Sequence, residues 1–229
     1  MKYSILISFL LLNFAVVNAQ KIYSLSGGEM MFQFSEIQTE HDNINSRLRF
    51  TTAFHFGEYL HLDITNNFGL FSGIGLRNVG FITDENDVKT KYRSYNLGVP
   101  LALKAGSFRK DVYFFGGAEY EWMINFKQKT FRDGGKYKFS SWFSRRTPSF
   151  VPSVFAGIQF PGGIQLKAKY YLNDFLNHEY KGKDIYNDYT RFKKTQVWYI
   201  SISYLIKNKK ESGKNRDSGP VEIACAENL

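Results

Sequence analysis

The feature that most constrains this chain is a regular alternation of long and short joins between amphipathic segments. Beyond the N-terminal leader, eight segments show the period-two apolar and polar alternation of β-strands. The long polar joins are residues 37–46, 84–90, 128–148 and 179–192, and the short joins lie near 65–67, 107–111 and 161–163. A chain that weaves through an outer membrane has short periplasmic turns and longer external loops. The alternation therefore predicts an all-β fold, an eight-stranded antiparallel transmembrane β-barrel with up-and-down connections.

The N-terminus has the features of a secretory signal peptide. Lys2 provides a positive start, an apolar stretch follows, and Val17 and Ala19 are small residues placed for cleavage before Gln20. The alternative is an uncleaved membrane helix, but the apolar stretch is shorter than the ~20 residues that a spanning helix needs. We therefore expect export through the general secretory pathway to the bacterial outer membrane. The predicted domains are a signal peptide at 1–19, an outer-membrane barrel at 20–206 and a flexible periplasmic tail at 207–229.

The eight predicted strands differ in how cleanly they alternate. They are residues 27–36, 47–64, 68–83, 91–106, 112–127, 149–160, 164–173 and the C-terminal segment that ends near Ile206. In 112–127 the alternation places Phe126 on the lipid face and Lys127 on the lumen face. In 68–83 the pattern fails beyond Asn78, because Val79 and Phe81 are apolar on the inner row, and this predicts a β-bulge there.

Alternation alone does not distinguish a membrane barrel from a soluble sandwich or a lipocalin-like barrel, in which the apolar row would face inward. Two features favour lipid outside. Several segments reach 12 residues or more, longer than the ~5–6 residues of ordinary strands. The second face also carries many charged residues, which fits a polar lumen.

Eight strands enclose a lumen that side chains fill, which disfavours an open pore. The predicted inward residues carry both signs, and buried charges must be paired to be tolerated. The sequence therefore predicts a network of ion pairs that plugs the lumen. Its members are Glu29, Arg49, Arg77, Lys104, Glu119, Glu121, Lys167 and Lys169.

The net charge of +9 and the pI near 9.4 raise the question of an anionic partner. Nucleic acid is excluded as a partner, because the leader exports the chain and the basic residues are scattered. The remaining interpretations are solvated loops with a charged lumen, or contacts with the phosphates of outer-membrane lipid.

The third external loop, 128–148, combines basic and aromatic side chains, which suit anionic lipid headgroups, glycans or an envelope protein partner. The candidate binding residues are Arg132, Lys136, Tyr137, Trp142, Arg145 and Arg146. The alternative interpretation is an aromatic girdle below a solvated loop. The predicted girdle residues are Trp122, Trp198 and Tyr204.

The sequence shows no convincing catalytic set. His61 with Asp63, and His178 with Asp174 or Glu179, are weak candidates for a hydrolase at the barrel rim. No metal-ligand spacing appears, no cofactor is implied, and the single cysteine, Cys225, has no partner base. We therefore expect a non-enzymatic structural or interaction module, with a rim hydrolase and a small-solute channel as the alternatives.

Two stretches resemble a known family. Residues 67–81 and 97–104 are similar to the third and fourth strands of the small PorT-like outer-membrane β-barrel proteins of Bacteroidota, including a proline inside the fourth strand. The resemblance implies the barrel fold, and for a few members a role in a protein secretion machine. This chain departs from the common ending of outer-membrane barrels, because a polar tail follows Ile206 instead of a terminal aromatic residue.

Overall fold

The computed structural model describes residues 21–40, 43–44, 46–85, 88–182 and 188–208. The predicted signal peptide, the tail beyond Asn208 with Cys225, and His41 lie outside the described residues. Among the residues described, no helix has the length and apolar character needed to cross a membrane.

The described part of the chain forms one antiparallel sheet of twelve strands. They are β1 (Lys21–Thr39), β2 (Asn43–Ile44), β3 (Ser46–Arg47), β4 (Arg49–Thr51), β5 (Phe56–Asp63), β6 (Phe68–Glu85), β7 (Val88–Ser107), β8 (Val112–Arg132), β9 (Gly135–Trp142), β10 (Phe150–Gln159), β11 (Ile164–Tyr171) and β12 (Phe192–Lys207). A short 3₁₀ turn, Pro161–Gly163, joins β10 to β11.

The sheet closes on itself. Each strand pairs with its neighbour from β5 through β6 and β7 to β8, then from β10 through β11 and β12 back to β1 and β5. The pairing of β10 with β8 completes the ring. β4 and β5 pair with successive parts of β1 and together count as one strand of the ring, so the ring has eight strands. The predicted eight-stranded antiparallel barrel is confirmed.

Side chains point alternately out of and into the barrel, with the polarity of a soluble protein reversed. Leu101 and Phe114 on the outside are 64% and 67% exposed, whereas Glu121 and Lys169 on the inside are 0% and 2% exposed. Exposed apolar rows encircle the barrel on every strand of the ring. A soluble sandwich or lipocalin-like barrel would bury these rows, so the surface is that of a protein immersed in lipid.

A β-bulge in β8 reverses the orientation of its outer half. Tyr95 pairs with Asn125 but the next residue on β7, Asn96, pairs with Met123, so Ile124 is an extra residue. Beyond it the inward row changes parity. The prediction that Phe126 faces lipid and Lys127 the lumen is therefore wrong, since Phe126 is 1% exposed and Lys127 lies on the outer face.

The bulge predicted in β6 beyond Asn78 is also wrong. The register between β6 and β7 runs unbroken from Gly75 to Glu85. Val79 and Phe81 stay on the inner row and are buried, because the outer end of the lumen is apolar. Side chains still alternate between inward and outward directions there, but the inward ones enter an apolar part of the lumen instead of a polar one.

The predicted continuous strand at 47–64 is broken. β1 pairs with β4 at Met31 and with β5 at Gly28, and four residues, 52–55, lie opposite two on β1. Phe54 adopts a φ of 64°, which a residue with a side chain rarely occupies. The break places His55 inside the barrel, where the Asn78 N–H donates to Nδ1 (3.2 Å) and Thr51 Oγ1 lies 2.8 Å from Nε2.

The barrel wall extends outward beyond the ring. The segment 128–148, predicted as a loop, forms a hairpin in which the outer half of β8 pairs with β9 from Asn125 to Arg132. The predicted loop 84–90 is shorter than expected, because β6 continues to Glu85 and β7 begins at Val88. The three strands β7, β8 and β9 thus form one extension of the wall on the loop side of the barrel.

Candidate interaction surface and closed lumen

Three carboxylates and three cations meet in the middle of the lumen. The Arg77 guanidinium is bonded to Glu119 and lies 3.4 Å from Glu29. The Lys169 ammonium is bonded to Glu121 and lies 2.7 Å from Glu119, so it separates the two carboxylates on β8. Lys167 pairs with Glu29 at 2.9 Å. The positive and negative charges balance, which is the condition for tolerating such groups out of water.

Neutral groups complete this central network. The Tyr171 hydroxyl donates to Glu121 at 2.9 Å, and the Asn96 side-chain amide donates to the same carboxylate at 2.7 Å. Arg77 donates to the Tyr59 hydroxyl at 3.0 Å. Each charged group therefore has polar partners, and the network fills the middle of the lumen.

Two of the eight predicted network residues lie elsewhere in the lumen. Lys104 is near the periplasmic end, where its ammonium pairs with Asp63 at 2.5 Å and donates to Tyr23 at 2.9 Å. Arg49 is near the outer end and donates to Gln33 and to the side chain of Asn78, both at 2.7 Å. Charge alternation identified inward positions, but it did not show which of them meet.

An apolar cluster closes the outer mouth of the lumen. Inward residues of the strands, such as Phe81 and Phe126, pack there with Phe175, Leu176 and Tyr189 from the segment between β11 and β12. The Phe175 N–H donates to the Thr195 carbonyl at 2.9 Å, which anchors this segment on the barrel. Period-two alternation does not predict this cap, because Phe175 and Leu176 follow the last alternating residues of the strand and 179–192 has the composition of a long polar join.

Little space remains between these layers. The cavity lined by Arg77, Glu119, His61 and Phe71 has a volume of about 20 Å³, enough for about one water molecule. At the level of the central ion pairs, the described part of the lumen is therefore too narrow for a solute.

Outside the lumen, the hairpin of β8 and β9 carries most of the predicted binding residues. Tyr137 and Trp142 are exposed on β9, and Lys136 is exposed beside them. Arg132 ends β8, with its guanidinium 4.6 Å from the centroid of the Tyr137 ring. Because successive side chains on a strand alternate, Lys136 and Trp142 lie on the outer face of the hairpin, whereas Arg132 and Tyr137 lie together on its opposite face.

The two predicted arginines after β9 have different surroundings. Arg145 is exposed, whereas the guanidinium of Arg146 is half-buried between two rings, 4.1 Å from Phe139 and 4.6 Å from Tyr180. Arg146 therefore links the hairpin to the segment that caps the lumen, and it is less available to a ligand than Arg145.

The outer face of this three-stranded extension is basic. Lys91 pairs in register with Lys129, and Lys129 with Lys138, so three lysines stand side by side across three strands. Lys89, Arg93, Lys127 and Lys136 occupy the same face. We call this set of seven residues the basic face. In the sequence, this face corresponds to basic residues at every second position in 89–93, 127–129 and 136–138. This strand-like pattern was missed because these segments were assigned partly or wholly to loops.

The predicted girdle residues occupy both ends of the lipid-facing surface. Trp122 stacks with Phe143 and Phe150, with ring centroids 5.3 and 6.0 Å away, below the hairpin. Trp198 stacks on Phe34 at 4.2 Å, and Tyr204 is exposed near the opposite end of β12.

Each pair of catalytic candidates meets through a third residue. His61 does not contact Asp63 directly, because Lys104 lies between them, 3.2 Å from His61 Nδ1. His178 and Asp174 each contact Thr195. Within the described ranges no three His, Cys, Asp or Glu residues are grouped so that they could hold a metal ion.

The exposed apolar rows, the buried charges and the closed ring together define the class of protein. This chain is a β-barrel of the outer-membrane type. No protein-family model matches the sequence, and no curated protein matches it.

Solved structures of similar shape are small outer-membrane proteins. The attachment invasion locus protein Ail of Yersinia pestis, solved with the heparin analogue sucrose octasulfate, is 13% identical with a TM-score of 0.40, over 80% of this chain and 99% of its own. Neisserial surface protein A is 10% identical with a TM-score of 0.41, over 82% and 97%. OprG of Pseudomonas aeruginosa is 11% identical with a TM-score of 0.37, over 81% and 95%. Similarity at this level carries no argument about function.

Proposed function

We propose that this protein is a non-enzymatic interaction module of the bacterial outer membrane, exported by the general secretory pathway, whose barrel holds the β8–β9 hairpin for binding outside the cell. The observation that carries the proposal is the contrast between a closed lumen and an extended outer wall. Ion pairs and the apolar cap fill the barrel, whereas Tyr137 and Trp142 on the hairpin are 54% and 66% exposed. Rigid scaffolds that position exposed aromatic and basic groups are typical of binding proteins.

The proposal is tested by extracting native outer membranes in mild detergent, with an affinity tag on the C-terminal tail. A folded barrel migrates differently on SDS gels before and after boiling. We expect the intact barrel to retain a partner that the double variant Tyr137→Ala, Trp142→Ala loses while keeping its heat-dependent shift. The control is Tyr204→Ala, which removes an equally exposed aromatic residue at the other end of the barrel. Equal retention by both variants would argue against binding through the hairpin.

A second candidate function follows from the resemblance to the PorT-like barrels of Bacteroidota. We propose, as the alternative, that the protein is a subunit of a protein secretion or envelope-assembly complex. The resemblance extends from about Gly27 to Ile206, and the two stretches that carry it, residues 67–81 and 97–104, fall almost entirely in the adjacent strands β6 and β7. The same extraction tests it: a stoichiometric envelope protein and a loss of export on deletion of the gene would support it. A barrel that purifies alone, with export intact, would contradict it.

A further inference from the structure

We propose that the basic face binds the phosphate groups of lipid in the outer leaflet of the membrane. This inference rests on the proposed function and names a ligand class for the same hairpin. It depends on three features of the structure: the like-charge ladder, the absence of ion pairs to it among the described residues, and its position directly above the lipid-facing rows.

The ladder is unfavourable unless an anion is present. Like charges directly opposite each other on neighbouring strands destabilise a sheet. Here Lys91, Lys129 and Lys138 repeat that arrangement twice, across strands about 4.8 Å apart. Desolvation and the nearby ammonium groups of Lys136, Lys91 and Lys138 lower the pKa of Lys129 to about 8. A bound phosphate would relieve this repulsion.

No carboxylate neutralises the ladder among the residues that the structure describes. The nearest acidic residue in register is Asp84, which stands opposite Lys89 and is paired with Arg47. The lumen shows the contrary pattern, because buried cations such as Arg77 and Lys169 are matched to carboxylates. Among the described residues, carboxylates thus accompany the cations where water is excluded, but none stands beside the ladder of Lys91, Lys129 and Lys138.

The face also contains a groove. Lys127, Lys129, Lys136, Lys138 and Arg93 contribute to its walls, and its volume is about 470 Å³. Lysine ammonium groups with three donors each, together with one guanidinium, are suited to phosphate oxygens.

The position of the face favours a lipid over a soluble anion. On β7 one outward row runs from the apolar Leu97 through Tyr95 to Arg93 and Lys91. The Lys127 ammonium lies 4.8 Å from the centroid of the Tyr95 ring. The basic groups therefore begin one step above the aromatic residues that mark the membrane interface, on the side that faces lipid. Headgroup phosphates occupy that level.

The test measures lipid retention by the full mature chain, refolded in detergent and mixed with micelles that contain diphosphoryl lipid A or its dephosphorylated form. Native mass spectrometry counts the lipid molecules bound to each barrel. We expect retention of the phosphorylated form only. The double variant Lys129→Glu, Lys138→Glu should weaken it by about tenfold or more, because each lysine near an anionic surface contributes roughly a factor of five.

The control variant is Lys110→Glu, Lys181→Glu, which makes the same change in net charge at exposed positions away from the basic face. It should retain lipid A as the wild type does. The ladder variant should be about as stable as the wild type, since the new carboxylate at position 129 attracts Lys91, while the carboxylates at 129 and 138 repel each other as the two lysines did. Weaker binding with undiminished stability therefore excludes misfolding as the cause.

Three results would overturn the proposal: equal retention of the two lipid forms, an equal loss in the control variant, or binding of soluble inositol hexakisphosphate as tight as that of lipid A. The last would make the basic face a general polyanion site. A failure of lipid binding leaves the aromatic hairpin variants to decide the proposed function separately.

Discussion

Two glycines that face the lumen leave room for the side chains of the central ion pairs. Gly75 and Gly98 stand opposite each other on β6 and β7 and face inward. A Cβ at Gly98 would overlap a carboxylate oxygen of Glu119, and one at Gly75 would lie 2.6 Å from Arg77 Nη1. The glycines therefore make the recess that the central ion pairs occupy.

We predict that Gly98→Ala lowers the free energy of unfolding by about 1–3 kcal/mol, because the added methyl group displaces Glu119 from its cations. Urea unfolding in detergent measures the change. Gly116→Ala is the control, since its Cβ would meet the Phe155 carbonyl oxygen at 3.4 Å, close to ordinary contact. Equal losses in the two variants would show that the recess is not what makes Gly98 necessary.

Removing one cation from the central network should be more costly. Lys169→Met leaves Glu119 and Glu121 adjacent and undercompensated, and we expect a loss of about 3–5 kcal/mol. Lys194→Met removes a lysine that is paired with Glu36 on the surface at 2.7 Å, and should leave the unfolding midpoint close to that of the wild type. Unfolding midpoints for the two variants that agree within error would contradict the assigned importance of the buried network.

Glu58 is a charged residue on the outer surface of the barrel, where a membrane barrel presents apolar side chains to lipid. Glu58 is exposed on the outer surface between Phe56 and Leu60, which are 63% and 57% exposed. Charges on the lipid face destabilise barrels, and acidic ones do so less than basic ones. We predict that Glu58→Leu raises the free energy of unfolding in lipid vesicles by about 1–2 kcal/mol, with Glu58→Gln intermediate. A loss of stability in both variants would mean that the carboxylate has a stabilising partner.

At the level of strands, irregularities decide which face each residue shows. The single extra residue Ile124 turns the outer half of β8 over, so Phe126 packs into the cap while Lys127 and Lys129 join the basic face. The β8–β9 hairpin is joined to the capping segment through Arg146. The binding surface and the closure of the lumen are thus built from the same strands.

Arg146→Ala should loosen the capping segment, because the rings of Phe139 and Tyr180 would lose the guanidinium between them. We expect trypsin to cleave after Lys181 several times faster than in the wild type, with the heat-dependent gel shift retained. Arg145→Ala changes the neighbouring exposed arginine and should leave the cleavage rate unchanged. Identical digestion of both variants and wild type would show that Arg146 does not hold the segment.

For the whole molecule, the ion pairs and the apolar cap lie in series along the barrel axis. The remaining central cavity of about 20 Å³ has no room for a hydrated ion. We predict that the purified protein is silent in planar lipid bilayers under an applied voltage, with a porin in the same preparation as the positive control. Stepwise conductance from the protein alone would contradict the closed lumen and support the channel alternative.

Much of this architecture follows from pattern in the chain. Period-two alternation predicts the strands and divides each into two rows of side chains, because successive side chains on a strand must point in opposite directions. The lengths of the strands and joins and the charges of one row were needed to predict the eight-stranded membrane barrel and to decide which row faces lipid. The inward positions of Glu119, Glu121, Lys167 and Lys169 follow from the same rule. Alternation did not predict the bulge at Ile124, because one extra residue is visible only in the pairing with β7.

Contacts between distant segments depended on the tertiary structure alone. Strand register and barrel closure bring Arg77, Glu29, Glu119 and Lys169 together from four strands, and no local pattern encodes those distances. The same register sets Lys91, Lys129 and Lys138 side by side. The alternation of single residues is a local property of the backbone, whereas the partner of each side chain is decided by how the strands are staggered around the ring.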